Sequence, residues 1–330
     1  MNGKPYFLQR LLFAPKIFFP RRAPENRFAV DETGEIGFKS DCAAFLKNAI
    51  DPHDLYYVCA LLNSKVLEFR YRAMGGLGKL TGRGMFEYFE NQVGDLPIPT
   101  FENPQNHPDH RKLGQLGREA HQLFNERYRI VTTYEEKSRT IGKHEIVSFW
   151  NYHNITEPYS TLVAWESPNP NREGHLLAIQ IEPSAEGYRL WGEITEDEDW
   201  REGEREWTLL AKVHISDPAL RRYLLARAIY LTEFDETFRR KQKLTDTISN
   251  LTMAAFNALT AVCYDETPTR NLKVLQTLEN RVTAEAGRSN LETISLRQLS
   301  IEQDINEIAY GLYGVQKYKN VIEEALRVVL

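Results

Sequence analysis

The chain has 330 residues, 42% hydrophobic and 26% charged, a composition for two or three domains with real cores and not for a disordered or fibrous polypeptide. A net charge of -5 excludes a surface that is basic throughout, so any nucleic-acid contact has to be a local patch. The three cysteines (Cys42, Cys59, Cys263) have no C-x-x-C spacing, which argues against a disulfide framework or a thiolate zinc site and suits a reducing cytoplasm.

In chain order, the apolar clusters Leu11-Leu12-Phe13 and Ile17-Phe18-Phe19 are interrupted by Pro15, Lys16 and Pro20, and no signal-peptide cleavage pattern follows. No apolar run approaches a membrane span, so the expectation is a cytoplasmic protein with no membrane partner. Lys16–Pro20 reads as a buried strand, Arg27–Val30 as a second strand, and Asp31–Gly34 as a turn. Asp51-Pro52 then predicts a helix start, with a capping acceptor followed by a proline whose missing N–H costs nothing. Leu55, Val58, Leu62, Val66 and Phe69 recur at steps of three and four, predicting one helical rod over 51–72. A glycine-rich segment, Gly75–Gly84, follows, and Leu96-Pro97-Ile98-Pro99 is stiff and extended. Residues 102–110 read as a polar linker, and 112–136 as a helix with Leu113, Leu116, Ala120, Leu123 and Phe124 on one side.

Residues 160–215 switch to a period of two. Thr161–Trp165, His175–Ile181, Tyr188–Trp191 and Trp207–Val213 predict a four-stranded antiparallel meander, with the acidic run at a hairpin tip. Asp217-Pro218 opens a predicted helix reaching 264, striped by Leu220, Leu224, Ala228, Leu231, Leu244, Ile248, Leu251, Ala255 and Leu259. Residues 272–284 form another helix, Ser300–Gln303 reads as a capping box, and Gly314 as a left-handed stop. The fold class expected is α+β. A mixed domain over 1–110 leads through a connecting helix (111–150) to an antiparallel meander (151–216) and a helical docking region (217–330).

Charge is uneven along this plan. Lys65, Arg70, Arg72, Lys79 and Arg83 against Glu68 give a local balance of +4, whereas 193–206 carries -6. The glycines of the basic segment (Gly75, Gly76, Gly78, Gly82, Gly84) could let backbone N–H groups approach a polyanion. A phosphate-loop reading fails, because Leu80 follows Lys79 and Ala73 stands where the first glycine belongs. A dinucleotide fingerprint fails too, since the segment leaves a helix and not a strand. Tyr71 and Tyr88 are the candidates for surface stacking on bases, with Phe69 and Phe89 assigned to the core. His107, His110 and His121 read as surface residues and not as a metal set, and the carboxylates of 193–199 lack a calcium-loop pattern. No nucleophile elbow, H-E-x-x-H or kinase signature occurs, so no catalytic residue and no metal ligand is assigned.

Lys16-Ile17-Phe18-Phe19-Pro20, Arg27-Phe28-Ala29-Val30, Leu61-Leu62-Asn63-Ser64-Lys65, Phe69 and Leu96-Pro97-Ile98-Pro99, in this order, resemble the TaqI-like C-terminal specificity domain of adenine-specific DNA methyltransferases in restriction-modification and phage-defence systems. Ile305 to Gly314 resembles the closing helix of those enzymes. The likeness covers the first 100 residues and the last 30, and leaves 150–290 unassigned. It implies a double-stranded DNA partner, with phosphate or guanine contacts from Lys65, Arg70, Arg72, Lys79 and Arg83. It also implies S-adenosylmethionine and an N-P-P-[FY] loop on a separate catalytic domain. This chain has no such loop, since Asn103-Pro104 and Asn169-Pro170 are followed by Gln105 and Asn171. The expectation is therefore a recognition portion, encoded alone or cut from a longer enzyme, with no cofactor of its own and a methyltransferase subunit acting in trans. Two other classes stay open: a metal-dependent nuclease using the acidic 193–206 segment, and a protein-only scaffold using the 220–259 stripe.

Overall fold

The structure is a computed structural model and describes residues 14–23, 25–34, 42–46, 53–74, 86–141, 145–148, 162–168, 173–197, 205–235, 244–247, 260–263, 267–287 and 290–329. The chain opens with β1 (Lys16–Pro20), β2 (Arg22–Ala23), β3 (Ala29–Asp31) and β4 (Cys42–Leu46). β1 is the centre of a three-stranded antiparallel sheet in the order β3-β1-β4. Its alternation buries Ile17 and Phe19 on one face. Lys16 is also fully buried, and its ammonium meets the Asp31 carboxylate at 2.7 Å. Asp31 Oδ1 in turn accepts the Gly34 N–H at 2.8 Å, which closes the predicted turn.

The single rod expected over 51–72 is two helices, α1 (Leu55–Leu62) and α2 (Lys65–Ala73). Asp54 caps α1 by accepting the Tyr56 N–H at 2.8 Å, while Asp51-Pro52 lies outside the described residues. Asn63 and Ser64 break the rod, yet Leu62 and Val66 on either side stay buried. The apolar period survives the break, which is why periodicity alone reads one helix. β5 (Phe86–Glu87) pairs with β2, and the short α3 (Glu90–Gly94) leads into the extended Leu96–Pro99. A 3-10 turn (Pro104–Asn106) precedes α4 (Pro108–Ser138). The polar linker predicted through His110 therefore ends sooner, and His110 is buried: its Nε2 accepts the Asp54 N–H at 3.2 Å and its ring packs 4.4 Å from Tyr57. α4 crosses α1 at Gly117, where a Cβ would lie 2.6 Å from the Tyr56 carbonyl oxygen.

Next come β6 (Glu145–Ser148), β7 (Val163–Glu166), β8 (Glu173–Ser184), β9 (Gly187–Thr195) and β10 (Arg205–Ile215). Of the last four, β8, β9 and β10 pair antiparallel in sequence order as the meander expected, whereas β7 pairs with β10 and not with β8, so three of the four predicted strands form the meander. Bulges between Leu176 and Ala178 and between Leu209 and Ala211 re-aim the alternation. α5 (Pro218–Ile229) is capped by Asp217, which accepts the Leu220 N–H at 2.8 Å, and it buries Leu220, Leu224 and Ala228. The helix then loosens into a π turn (Tyr230–Phe234) and does not continue to 264. β11 (Leu244–Thr247) pairs with β8, and β12 (Thr260–Cys263) pairs with β6. The stripe from Leu220 to Leu259 is thus not one helical face; residues 248–259 lie outside the described set. α6 (Pro268–Ala286) follows as expected.

α7 (Leu291–Leu312) runs unbroken through Ser300, so the predicted capping box is interior sequence. The capping acceptor is Asn290, whose Oδ1 takes the Glu292 N–H at 2.9 Å. Gly314 does adopt the left-handed stop, with φ of 66° and a Val315 N–H to Tyr310 carbonyl bond of 3.0 Å. α8 (Lys319–Arg327) follows a short 3-10 turn and leads into the two-residue strand β13 (Val328–Val329). The chain divides into two compact units, 1–123 together with 298–330, and 124–297. Residues 298–330 therefore group with the N-terminal segment, and the region after 217, mostly helical where described, also carries the strands β11 and β12. Both helices and antiparallel sheets are present, so the fold is α+β. No described helix is long and apolar enough to cross a membrane.

Lys16→Met is expected to destabilise the chain by about 3–5 kcal/mol in urea unfolding, because it strands a buried carboxylate. Lys16→Met combined with Asp31→Asn, which removes the charge and keeps an acceptor for the Gly34 N–H, is expected to recover part of that loss.

Candidate nucleic-acid interface

The Asn63–Ser64 break sets the start of α2, which carries Lys65, Arg70 and Arg72. Asn63 Oδ1 accepts the Phe28 N–H at 2.9 Å while its Nδ2 donates to the Phe28 carbonyl, also at 2.9 Å. The side-chain amide pairs with Phe28 as a neighbouring strand would. Ser64 donates to the Leu61 carbonyl at 2.6 Å and caps α2 from its Oγ. The first N–H of α2, that of Lys65, donates to Asn306 Oδ1 on α7 at 2.8 Å. Asn26 adds a bond from its amide to the Leu62 carbonyl at 2.6 Å, and Tyr88 donates to Asn26 at 3.0 Å.

Tyr71 and Tyr88, expected on the surface as base-stacking residues, are core. They are 5% and 3% exposed and stack on each other with ring centroids 4.7 Å apart. Burial raises the phenol pKa of both. The Tyr71 hydroxyl donates to the Glu87 carbonyl at 2.7 Å and lies 3.4 Å from the Phe89 N–H it accepts. Phe89, assigned to the core by spacing, is instead 39% exposed, and Phe124 is exposed as well. Spacing failed here because residues 86–89 are strand and loop, for which a helical period has no meaning.

Among the basic residues, Arg72 is engaged internally. It pairs with Glu68, donates to the Leu326 carbonyl at 3.3 Å, and stands 4.6 Å over the Phe86 ring. Burial lifts the Glu68 carboxyl above its usual range, with Arg72 opposing that shift. The phosphate contact expected of Arg72 would have to break this set. Lys65 is half-exposed, its ammonium 3.9 Å from Glu323 on α8. Arg70 is exposed on the last turn of α2. Lys79, Arg83 and the glycines Gly75, Gly76, Gly78, Gly82 and Gly84 lie outside the described residues. Both flanks of that segment are nevertheless tied to one place, by Tyr71 to Glu87 and by Arg72 to Phe86.

Of the acidic run, Glu193 is buried within β9 and Glu206 accepts from Thr208 at 3.0 Å, while 198–204 lies outside the described residues. Among the described residues, no group of three His, Cys, Asp or Glu side chains could hold a metal ion. Sequence reading missed Asn306 and Glu323, which bond and pair with Lys65; the only hint of Glu323 was the amphipathic pattern of 319–327.

No protein-family model, curated protein or solved structure matches the chain.

Cys59 donates its thiol to the Phe28 carbonyl at 3.3 Å, and burial pushes its pKa up to about 12, with the Asn63 amide opposing. Alkylation near pH 8 is expected to spare Cys59 in the folded chain and to label it once urea has unfolded the chain, read by peptide mass mapping. Asn63→Ala leaves the Phe28 N–H without its side-chain acceptor and the Phe28 carbonyl with only the Cys59 thiol, and is expected to cost about 1–3 kcal/mol of unfolding free energy.

Proposed function

We propose that the unit formed by 1–123 and 298–330 recognises duplex DNA as the target-recognition part of an adenine-N6 DNA methyltransferase of a restriction-modification or phage-defence system. A separate polypeptide or domain would carry the chemistry. One convergence supports this reading: the sequence segments that resemble the specificity domain bond to one another. Phe28 of the second strand segment bonds Asn63 of L-L-N-S-K, and Lys65 of the same motif bonds Asn306 of the closing helix. The Pro97 and Pro99 carbonyls of L-P-I-P accept the hydroxyls of Tyr313 and Tyr57 at 2.6 and 2.7 Å. Motif residues far apart in sequence thus build a single frame, and that frame holds Lys65, Arg70 and both flanks of the Lys79/Arg83 segment.

In this reading Lys65, Arg70, Lys79 and Arg83 supply phosphate contacts, which set register without reading sequence. S-adenosylmethionine belongs with the catalytic domain. Asn103-Pro104 fits no N-P-P-[FY] loop, because Pro104 is buried at the start of a 3-10 turn and Gln105 follows. No methyl-transfer step is assigned to this chain.

Titration of fluorescent duplex DNA at about 50 mM salt tests the reading. Arg70→Ala, Lys79→Ala and Arg83→Ala are each expected to weaken binding. Each should also lower the slope of log affinity against log salt by about 0.9. Unchanged affinity and slope in the triple variant would overturn the reading, as would cleavage of plasmid by the purified chain with magnesium or manganese.

A further inference from the structure

The helix that carries Lys65, Arg70 and Arg72 has a second occupant. α8 packs along α2, and two of its residues take the cations that a polyanion would need. Glu323 Oε1 lies 3.9 Å from the Lys65 ammonium, and the Tyr310 hydroxyl donates to the same oxygen at 3.3 Å, which aims the carboxylate. The Leu326 carbonyl, near the end of α8, accepts from Arg72 at 3.3 Å. A helix C-terminus carries partial negative charge, so the end of α8 stands in for an anion at Arg72.

We propose that α8 is an intramolecular cover that competes with the nucleic-acid backbone for the cations of α2. This rests on the DNA-recognition reading and names how that site is regulated. The contact is poised to exchange. The Lys65–Glu323 pair is partly solvated, with side chains 37% and 25% exposed, so its net strength is small. α8 itself is anchored by the buried Ile322, while Val321 on the same helix is 59% exposed. The Lys65 charge also acts on Glu302, an exposed carboxylate of α7, which lies on the framing helix and not on α8.

Glu323→Gln tests the cover, because it removes the charge and keeps an acceptor for Tyr310. Glu324→Gln is the control: the same helix, the same change of net charge, and an exposed side chain. At about 50 mM salt, Glu323→Gln is expected to tighten duplex DNA binding about two- to five-fold over Glu324→Gln and to steepen the salt slope. Hydrogen exchange on the unaltered chain provides a second readout: saturating duplex is expected to reduce protection of the α8 amides. Equal affinities for the two variants, with α8 protection unchanged by DNA, would overturn the cover and leave DNA recognition standing. No binding by the unaltered chain or by either variant would overturn both.

Discussion

Asn63 presents its amide to Phe28 in the way one strand presents a peptide group to the next. That pair of bonds ends α1, orients Ser64 to start α2, and puts the Lys65 N–H where Asn306 receives it. A helix break normally leaves first-turn donors and last-turn acceptors to solvent. Here Asn26, Asn63, Ser64 and Asn306 take up groups at both ends of the break, each through a short polar side chain. A strand, two short helices and the closing helix therefore meet at a few hydrogen bonds made inside an apolar cluster. Satisfied polar groups in such surroundings specify one arrangement, because any slip strands a donor or an acceptor.

The same constraint decides which basic residues face outward. α2 cannot rotate while Tyr71 is held by Glu87 and stacked on Tyr88, so Arg72 stays inward beside Phe86 and Leu326. Arg70, two residues earlier, points to solvent. A helix of this length offers only a narrow exposed edge, and charge density in the sequence overstates how much cation reaches the surface. Of Lys65, Arg70 and Arg72, only Arg70 lies on the open face with no described pairing.

Much of the architecture was legible where one local rule applied. Period-two runs gave the strands from 163 to 215, though not the place of β7 beside β10, while Asp217-Pro218 gave a helix start and Gly314 a stop, since these signals act within a few residues. Reading failed where two rules compete. Leu244 continues a helical stripe yet sits in a strand, because pairing with β8 overrides spacing. Leu62 and Val66 keep their period across a break set by Phe28, a residue 35 positions away from Asn63. Ser300 and Gln303 match a capping box within a helix that had already begun at Leu291. Tyr71 and Tyr88 carry polar hydroxyls that suggest a surface, but each hydroxyl has an internal acceptor and the rings are buried. The candidate site was legible as a charge pattern and not as a geometry, because its partners on α7 and α8 come from the far end of the chain.

That distance has a consequence for synthesis. Residues 124–297 form a contiguous unit, whereas the bond from Lys65 to Asn306 spans 241 positions. At ribosomal rates of about 5–20 residues per second, roughly 10–50 s separate the emergence of its two ends. Through that interval the first helices lack the apolar face of Ile301, Ile305 and Ala309 that completes their core. The inserted unit has all its own parts earlier, so the order of assembly runs from the middle of the polypeptide outward, and the unit formed by 1–123 and 298–330 is the last to become complete.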